Sequence, residues 1–387
     1  MNANSTPYQP QSMNAEEAEL FLPLAEAMAQ QPTGENAARY AETLSALGRR
    51  DEAMEKLRVI VQQNPRDGAV RGALFHLECG AVPIFASVTA HMPTLLVEIY
   101  GAPLLQPAMH VNLAEQMVRI PNLNRTLGAI ANAMVENGYP NLHALDLGSY
   151  IGSSVAEINN THEISCLSVD CWPRHHALTR HNLPFIRGEH IAVMAAIGRD
   201  GEVLNILLPN RYTDADHIFL STAPPDAENR LIDTVPTVAM STLLRQYPAF
   251  AHFKLLKLDL EGNEAGVILS AADILQRNHP VIFWEYNNEY AADLRKAHLE
   301  TRQSFELLKS LGYQKHLFYA SSGELMAVVN ADQSEQLNSL SAFLLSSRRG
   351  WPVPYCDICS LHQDDMRLLQ PILQKTISPE VFAAVYG

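Results

Sequence analysis

Residues 255–264 read Leu-Leu-Lys-Leu-Asp-Leu-Glu-Gly-Asn-Glu. One short run therefore carries the cation Lys257 and the carboxylates Asp259, Glu261 and Glu264. Leu256, Leu258 and Leu260 alternate with Leu255, Lys257, Asp259 and Glu261, the period of a strand. A central strand of a parallel sheet is apolar on both faces. Charged groups at its end are costly unless they are paired or functional. In open α/β sheets the carboxyl ends of the strands are where ligands bind. Acids placed there can take up a proton or hold a cation through oxygen.

A second chemical stretch is Asp146-Leu-Gly148-Ser149-Tyr-Ile-Gly152-Ser153, between an apolar strand and a helix. Gly148 and Gly152 let the backbone approach a ligand, and the helix beyond offers free N–H groups. A dinucleotide fingerprint has Gly where this loop has Asp146. A carboxylate there repels a pyrophosphate, yet it can hold a cationic amino group. S-adenosylmethionine carries an amino acid and no phosphate, so it suits this loop better than NAD. Asp170 ends the next apolar run, where an acid accepts hydrogen bonds from ribose hydroxyls. That geometry serves either cofactor.

The elements that must position these groups follow the chain. Residues 1–12 are polar and predict a disordered start. Asn14-Ala-Glu-Glu17 resembles a capping box. Thr33 to Pro65 predicts two helices around Leu47-Gly48, with Ala53, Leu57, Ile60 and Val61 on one face, and a third follows to Cys79. Their spacing over 13–80 is tetratricopeptide-like, a protein-docking module or a helical cap. Pro83, Pro93, Pro103 and Pro107 make 81–120 a linker or lid with at most short helices, containing His91 and His110. A helix over 122–137 opens the main domain, 121–387, with Leu127, Ile130, Ala131 and Met134 inward. Strands then alternate with helices: 142–147, 164–169, 191–196, 253–260 and 281–284, the last followed by Glu285. A helix over 304–311 and a hairpin over 317–329 follow. Residues 201–240 interrupt the alternation with extra strands, a place for substrate selection. Cys356-x-x-Cys359-x-x-His362 lacks the further ligands of a zinc site and reads as buried small residues. His175, His176 and His181 read as a solvated helix face, and 371–387 as a terminal helix.

Composition narrows the classes. The 387 residues are 47% hydrophobic and 18% charged, enough to bury a core. The net charge of −14 argues against a nucleic-acid partner, which needs a concentrated basic footprint. No apolar stretch reaches the roughly 18 residues of a membrane span, and Met1 to Ser12 lacks a signal-peptide core. The expectation is a cytoplasmic protein. Five cysteines make no disulfide framework.

Lys257-x-Asp259-x-Glu261-Gly262-x-Glu264 with the later Glu285, Asp146 to Gly152, and Asp170-Cys-Trp-Pro173 together resemble the FkbM-type methyltransferases over roughly 120–330. Met240-Ser241 departs from the Leu-Asp usual in that family. The resemblance implies an α/β fold. It has a Rossmann-like class I methyltransferase sheet, mainly parallel with an antiparallel terminal hairpin strand, preceded by a small all-helical domain. It implies S-adenosyl-L-methionine as donor, bound by Asp146, Gly148, Ser149, Gly152, Ser153, Asp170 and Ala196. The acceptor it implies is a hydroxyl on a sugar, glycan or other small natural product. A hydroxyl is a poor nucleophile, so Asp259 is the first candidate for base or acceptor ligand. Glu261 and Glu285 could hold the acceptor, and Asp259 with Glu285 a divalent cation such as magnesium. Lys257, lying deeper, neutralises one of these acids. The rival readings are an NAD-dependent oxidoreductase and a docking protein with an inactive methyltransferase domain. The expected partners are a small-molecule or glycan acceptor, a protein on the N-terminal helices and a second copy in a homodimer. Neither a nucleic acid nor a membrane span is expected.

Overall fold

A computed structural model describes residues 14–16, 18–19, 22–23, 34–64, 67–79, 84–87, 94–97, 121–210, 219–221, 224–287, 294–320, 323–347 and 355–386. The expectations for 1–12, Glu17, His91 and His110 fall outside the described residues.

Eight strands build the main sheet: β1 (His143–Leu147), β2 (Ser165–Asp170), β3 (His190–Met194), β4 (Leu255–Leu258), β5 (Val281–Tyr286), β6 (Tyr313–Ala320), β7 (Leu325–Asn330) and β8 (Cys356–His362). Their order across the sheet is β7-β6-β8-β5-β4-β1-β2-β3. β3, β2, β1, β4 and β5 run parallel, while β8 runs against both β5 and β6, and β7 against β6. The chain leaves β1 toward β2 and β3, then returns to the other side of β1 with β4. That reversal opens a crevice between β1 and β4, the switch point where doubly wound sheets bind ligands.

Alternation along the strands splits the core into two layers. Leu145, Leu147, Leu256, Leu258, Ile282, Trp284 and Ile358 pack on one face. Ala144, Leu255, Val281, Phe283, Cys359 and Leu361 pack on the other. Asp146, Lys257 and Glu285 each stand two residues beyond a member of the second layer, on its face. Each strand is thus apolar at its base and ionisable at the crevice end.

The helices α1 (Gly34–Ala46), α2 (Arg50–Gln63) and α3 (Gly68–Cys79) precede the sheet and bury Ala37, Ala41, Leu44, Ala53, Leu57, Val70, Ala73 and Leu77 among themselves. α4 (Pro121–Glu136) turns Leu127, Ile130, Ala131 and Met134 into the second layer, as the pattern predicts. Short α5 (Ser153–Ile158) follows β1 and α6 (Pro173–Asn182) follows β2. The insertion forms its own sheet, with Val203–Pro209 antiparallel to Asn229–Val238 and to Phe219–Ser221.

Three expectations are corrected, and the reading of Cys356 and Cys359 holds. The prolines of 81–120 predict at most short helices, but its described part is an antiparallel ribbon, Ile84–Ser87 with Thr94–Val97. The apolar and β-branched residues between the prolines favour that ribbon. His175 and His181 are buried, not solvated, because α3 and Thr94–Val97 pack on α6. Residues 356–362 form a full strand inside the sheet. Cys356 and Cys359 are buried on its opposite faces, in keeping with their reading as buried small residues. The helix read as 304–311 begins at Leu294, its first turns being charged and outward-facing.

Arg71 and His181 join the helices to the sheet. Arg71 Nη1 donates to the His181 carbonyl at 2.8 Å, and His181 Nε2 lies 3.2 Å from Glu78 Oε2. Burial holds the Arg71 guanidinium down to about 10. Arg71→Met is expected to lose about 1–2 kcal/mol in urea denaturation. Amide exchange should quicken over 68–79 and stay unchanged over 255–286. Unchanged exchange in both would show that this seam does not dock the helices.

Candidate active site at the carboxyl ends of the strands

Lys257 is 7% exposed and sits at the switch point. Its Nζ donates to the Gly148 carbonyl at 2.6 Å and lies 3.2 Å from Asp259 Oδ2 and 3.4 Å from Asp146 Oδ1. Parallel pairing of β4 with β1 sets Lys257 beside Asp146. Burial opposes the lysine's charge, yet Asp259 and then Asp146 outweigh it and hold the ammonium above its usual value. Burial raises the Asp146 carboxyl, although Lys257 and Ser154 act to lower it. The Ser154 hydroxyl donates to Asp146 Oδ2 at 2.6 Å. Asp146 is wholly buried, so it supports the 148–152 loop from beneath.

That loop is bound tightly to its neighbours. The N–H groups of Gly148 and Ser149 donate to the Val169 carbonyl. Gly148 has φ of +80°, and a Cβ there would lie 1.7 Å from the Asp259 carbonyl oxygen. The glycine is therefore required by the meeting of two chain segments. Tyr150 holds φ of 49°, strained for a non-glycine residue. Its N–H donates to Asp170 Oδ2 at 2.9 Å, and Thr179 Oγ1 donates to its carbonyl at 2.7 Å. Asp170 Oδ1 accepts from the Trp172 N–H at 3.0 Å and lies 3.3 Å from His175 Nδ1. Asp170 thus clamps both loops beside the crevice. The buried Ser149 hydroxyl has no hydrogen-bond partner among the described residues, which suits a loop built to receive a polar ligand.

On the other side of Lys257 the acids gather. Asp259 N–H donates to the Leu147 carbonyl and carries the β4 ladder one residue further. Carboxylate oxygens of Asp259, Glu264 and Glu285 lie within 4.8 Å of one another. Glu264 accepts from the N–H of Leu260 at 2.5 Å and of Gly262 at 3.1 Å, bracing the turn. Burial pushes its carboxyl up to about 7. Glu261 has φ of 53° and leaves the strand alternation, and Asn287 Nδ2 donates to its Oε2 at 3.3 Å. Glu285 is held well above the carboxylate range, first by burial, then by Asp259, Glu261, Glu264 and Asp357.

The network of bonds and acids therefore joins Asp146, Gly148, Ser149, Lys257, Asp259, Glu261 and Glu285. Gly152 caps α5 in a left-handed conformation with Ser153 as the first helical residue. Ala196 is buried and pairs with Thr237 beyond the end of β3, outside that network. Asp357, absent from the sequence reading, stands opposite Glu285 on β8. Its only sequence signal is a lone acid in an apolar run, between the two cysteines that drew attention instead. His175, expected on a solvated face, lies in the first turn of the helix after Asp170 and within reach of that acid.

Two outcomes follow. Lys257→Met leaves buried acids without their cation and is expected to cost about 3–5 kcal/mol in chemical denaturation; a loss under about 1 kcal/mol would show that the acids are otherwise balanced. Glu264 has a folded value near 7 against 4.5 for the free carboxyl, so between these the native state binds the extra proton. Its contribution is present below about pH 4.5 and is lost as pH rises through 7. Measured in chelator, stability should fall by roughly 2–3 kcal/mol across that window. Glu264→Gln should flatten the slope; a slope unchanged in the variant would assign it to another acid.

The structure of precorrin-6y C5,15-methyltransferase from Geobacter metallireducens GS-15 aligns with 63% of this chain and 87% of its own, at 13% identity and a TM-score of 0.28. The plantazolicin methyltransferase BpumL in complex with SAH aligns over 67% and 91%, at 9% identity and a TM-score of 0.30. No curated protein matches the chain. The family model for the methyltransferase FkbM domain matches residues 141–315, the stretch from β1 into β6 that holds the Asp146–Lys257–Asp259 network, and this supports a methyltransferase domain there.

Proposed function

We propose that the domain transfers the methyl group of S-adenosylmethionine to a hydroxyl oxygen of a small polar acceptor, a sugar or related natural product. The observation that carries this is Lys257. One ammonium contacts Asp146 and Gly148 on the loop side and Asp259 on the acid side. Donor loop and candidate base are thereby within one side chain of each other.

The donor, when bound, supplies an electrophilic methyl on a sulfonium. Ser149 has a free hydroxyl for its polar groups, and Asp170 keeps lone pairs for ribose hydroxyls beyond the bonds it already accepts. Asp146, with Ser154 and Lys257, keeps that loop in place from below. The acid side is rich in acceptors, which favours an acceptor rich in O–H donors, because hydrogen bonds to carboxylates are strong. The Asp259 side chain is 33% exposed, against 6% for the Glu285 residue. Asp259 can therefore reach the acceptor hydroxyl and take its proton as the oxygen gains the methyl. Lys257 Nζ, 3.2 Å from Asp259 Oδ2, holds that carboxylate in position for the step.

The test is calorimetric titration with S-adenosylhomocysteine and NAD in parallel, then a methylation assay over hydroxylated acceptors. S-adenosylhomocysteine alone should bind. Asp146→Asn should weaken it at least tenfold by releasing the loop. Asp259→Asn should bind it within about threefold of the parent while turnover falls about a hundredfold or more. Binding of NAD alone would overturn the donor assignment, and full turnover in Asp259→Asn would remove that residue from proton transfer.

A further inference from the structure

β5 lies between β4 and β8, and the registers on its two sides bring three acids level. Leu258 pairs with Trp284, so the next residue along β4, Asp259, falls beside Glu285. Glu285 in turn pairs with Asp357 of β8. Laterally paired residues point to the same face of a sheet, and neighbouring strands are about 4.8 Å apart. Asp259, Glu285 and Asp357 therefore form a lateral row on the crevice face. Glu264 enters from the helix after β4 and brings its carboxylate within 4.8 Å of those of Asp259 and Glu285.

Like charges directly opposite each other destabilise a sheet, and a buried ionised carboxylate needs a partner. Glu285 is 6% exposed and Asp357 2%. Among the described residues Glu285 Oε2 and Asp357 Oδ2 have no hydrogen-bond partner. Lys257 contacts neither acid, its partners being Asp146, Asp259 and the Gly148 carbonyl, and at Asp357 its charge only partly offsets burial and the neighbouring acids. The Glu264 oxygens already accept from Leu260 and Gly262, and Glu261 is engaged with Asn287. Two buried acids thus keep an unpartnered oxygen each, and one of them belongs to a cluster with ligand spacing.

We infer that Asp259, Glu285 and Asp357, with Glu264 as a further donor, bind one hard divalent cation of the magnesium class. The donor set is oxygen alone. Cys356, the soft donor nearest in sequence, points to the opposite face of β8 from Asp357. Oxygen-only sites favour magnesium, manganese or calcium over zinc. An ion here meets the charge of acids that the fold forces together. It also stands beside Asp259, where it would orient an acceptor oxygen and make its proton easier to lose. That last role rests on the methyl-transfer reading; the binding of the ion does not.

The experiment uses the full chain, stripped with chelator and free of donor. Bound manganese is counted by the loss of its free-ion paramagnetic resonance signal, with magnesium as competitor. One manganese per chain should bind saturably, and magnesium should displace it. Glu285→Gln and Asp357→Asn, checked for folding by circular dichroism, should each weaken binding at least tenfold. Cys356→Ser should leave it unchanged. Asp357→Glu keeps the charge and should retain more binding than Asp357→Asn. Absence of saturable binding in the parent would overturn the inference, as would equal affinity in the two neutralised variants. A parent that binds no manganese while Glu285→Gln raises its melting temperature would show that protons balance the row. S-adenosylhomocysteine is titrated into the same samples. Failure of that ligand alone would remove the methyl-transfer reading and leave the cation site standing; failure of manganese alone would do the reverse.

Discussion

The site depends on one buried ammonium held between two chain segments that are far apart in sequence. Lys257 belongs to β4, while Asp146 and Gly148 belong to β1 and the loop after it. The strands are neighbours because the chain reverses its order across the sheet between them. A lysine buried alone would lose its proton, and an aspartate buried alone would gain one. Together at 3.4 Å they can both stay charged, at the cost of fixing the register of β4 against β1. Gly148 adds a steric lock to the electrostatic one, since its left-handed turn leaves room for the Asp259 carbonyl and for no side chain.

Acid crowding on the other side of Lys257 is a consequence of topology. β8 enters the sheet between β5 and β6, running against both. A strand added only at the outer edge would leave Glu285 beside β6, whose residues here are the apolar Phe318 and Tyr319. The insertion instead pairs Glu285 with Asp357. The acids are thus drawn from the β4 end, the β5 end and the start of a strand laid down much later. Burial and mutual repulsion raise both Glu285 and Asp357.

Much of this arrangement was legible in the sequence, for a definite reason. Lys257, Asp259 and Glu285 interrupt strands that are otherwise apolar on both faces, and such interruptions stand out against a simple period. Asp146 and Gly148 stand out in the same way at the end of β1. Asp357 did not, because its meaning lies in a partner on β5 and pairing between distant strands has no local signature. The same holds for His175 and His181, where the helical period gave a polar surface and tertiary packing buried it. Gly148 shows a different limit. Its presence was read as room for a ligand, whereas the collision it avoids is with the chain's own Asp259 carbonyl. A glycine reports that something comes close, without reporting what.

Exposure separates the acids by what each can do. Asp146 is wholly buried and Glu264 nearly so, and both are committed to hydrogen bonds that hold loops in place. A group so enclosed cannot exchange a proton with an acceptor without breaking what it supports. Glu285 and Asp357 are as deeply placed but keep an oxygen unbound, a state that low dielectric makes costly unless an ion or a proton fills it. Asp259 differs from all four. It lies at the edge of the row, a third exposed, with Lys257 against one oxygen. A base must be reachable and free to move its proton on. Of these five acids Asp259 is the most exposed, because the others take up the structural load around it.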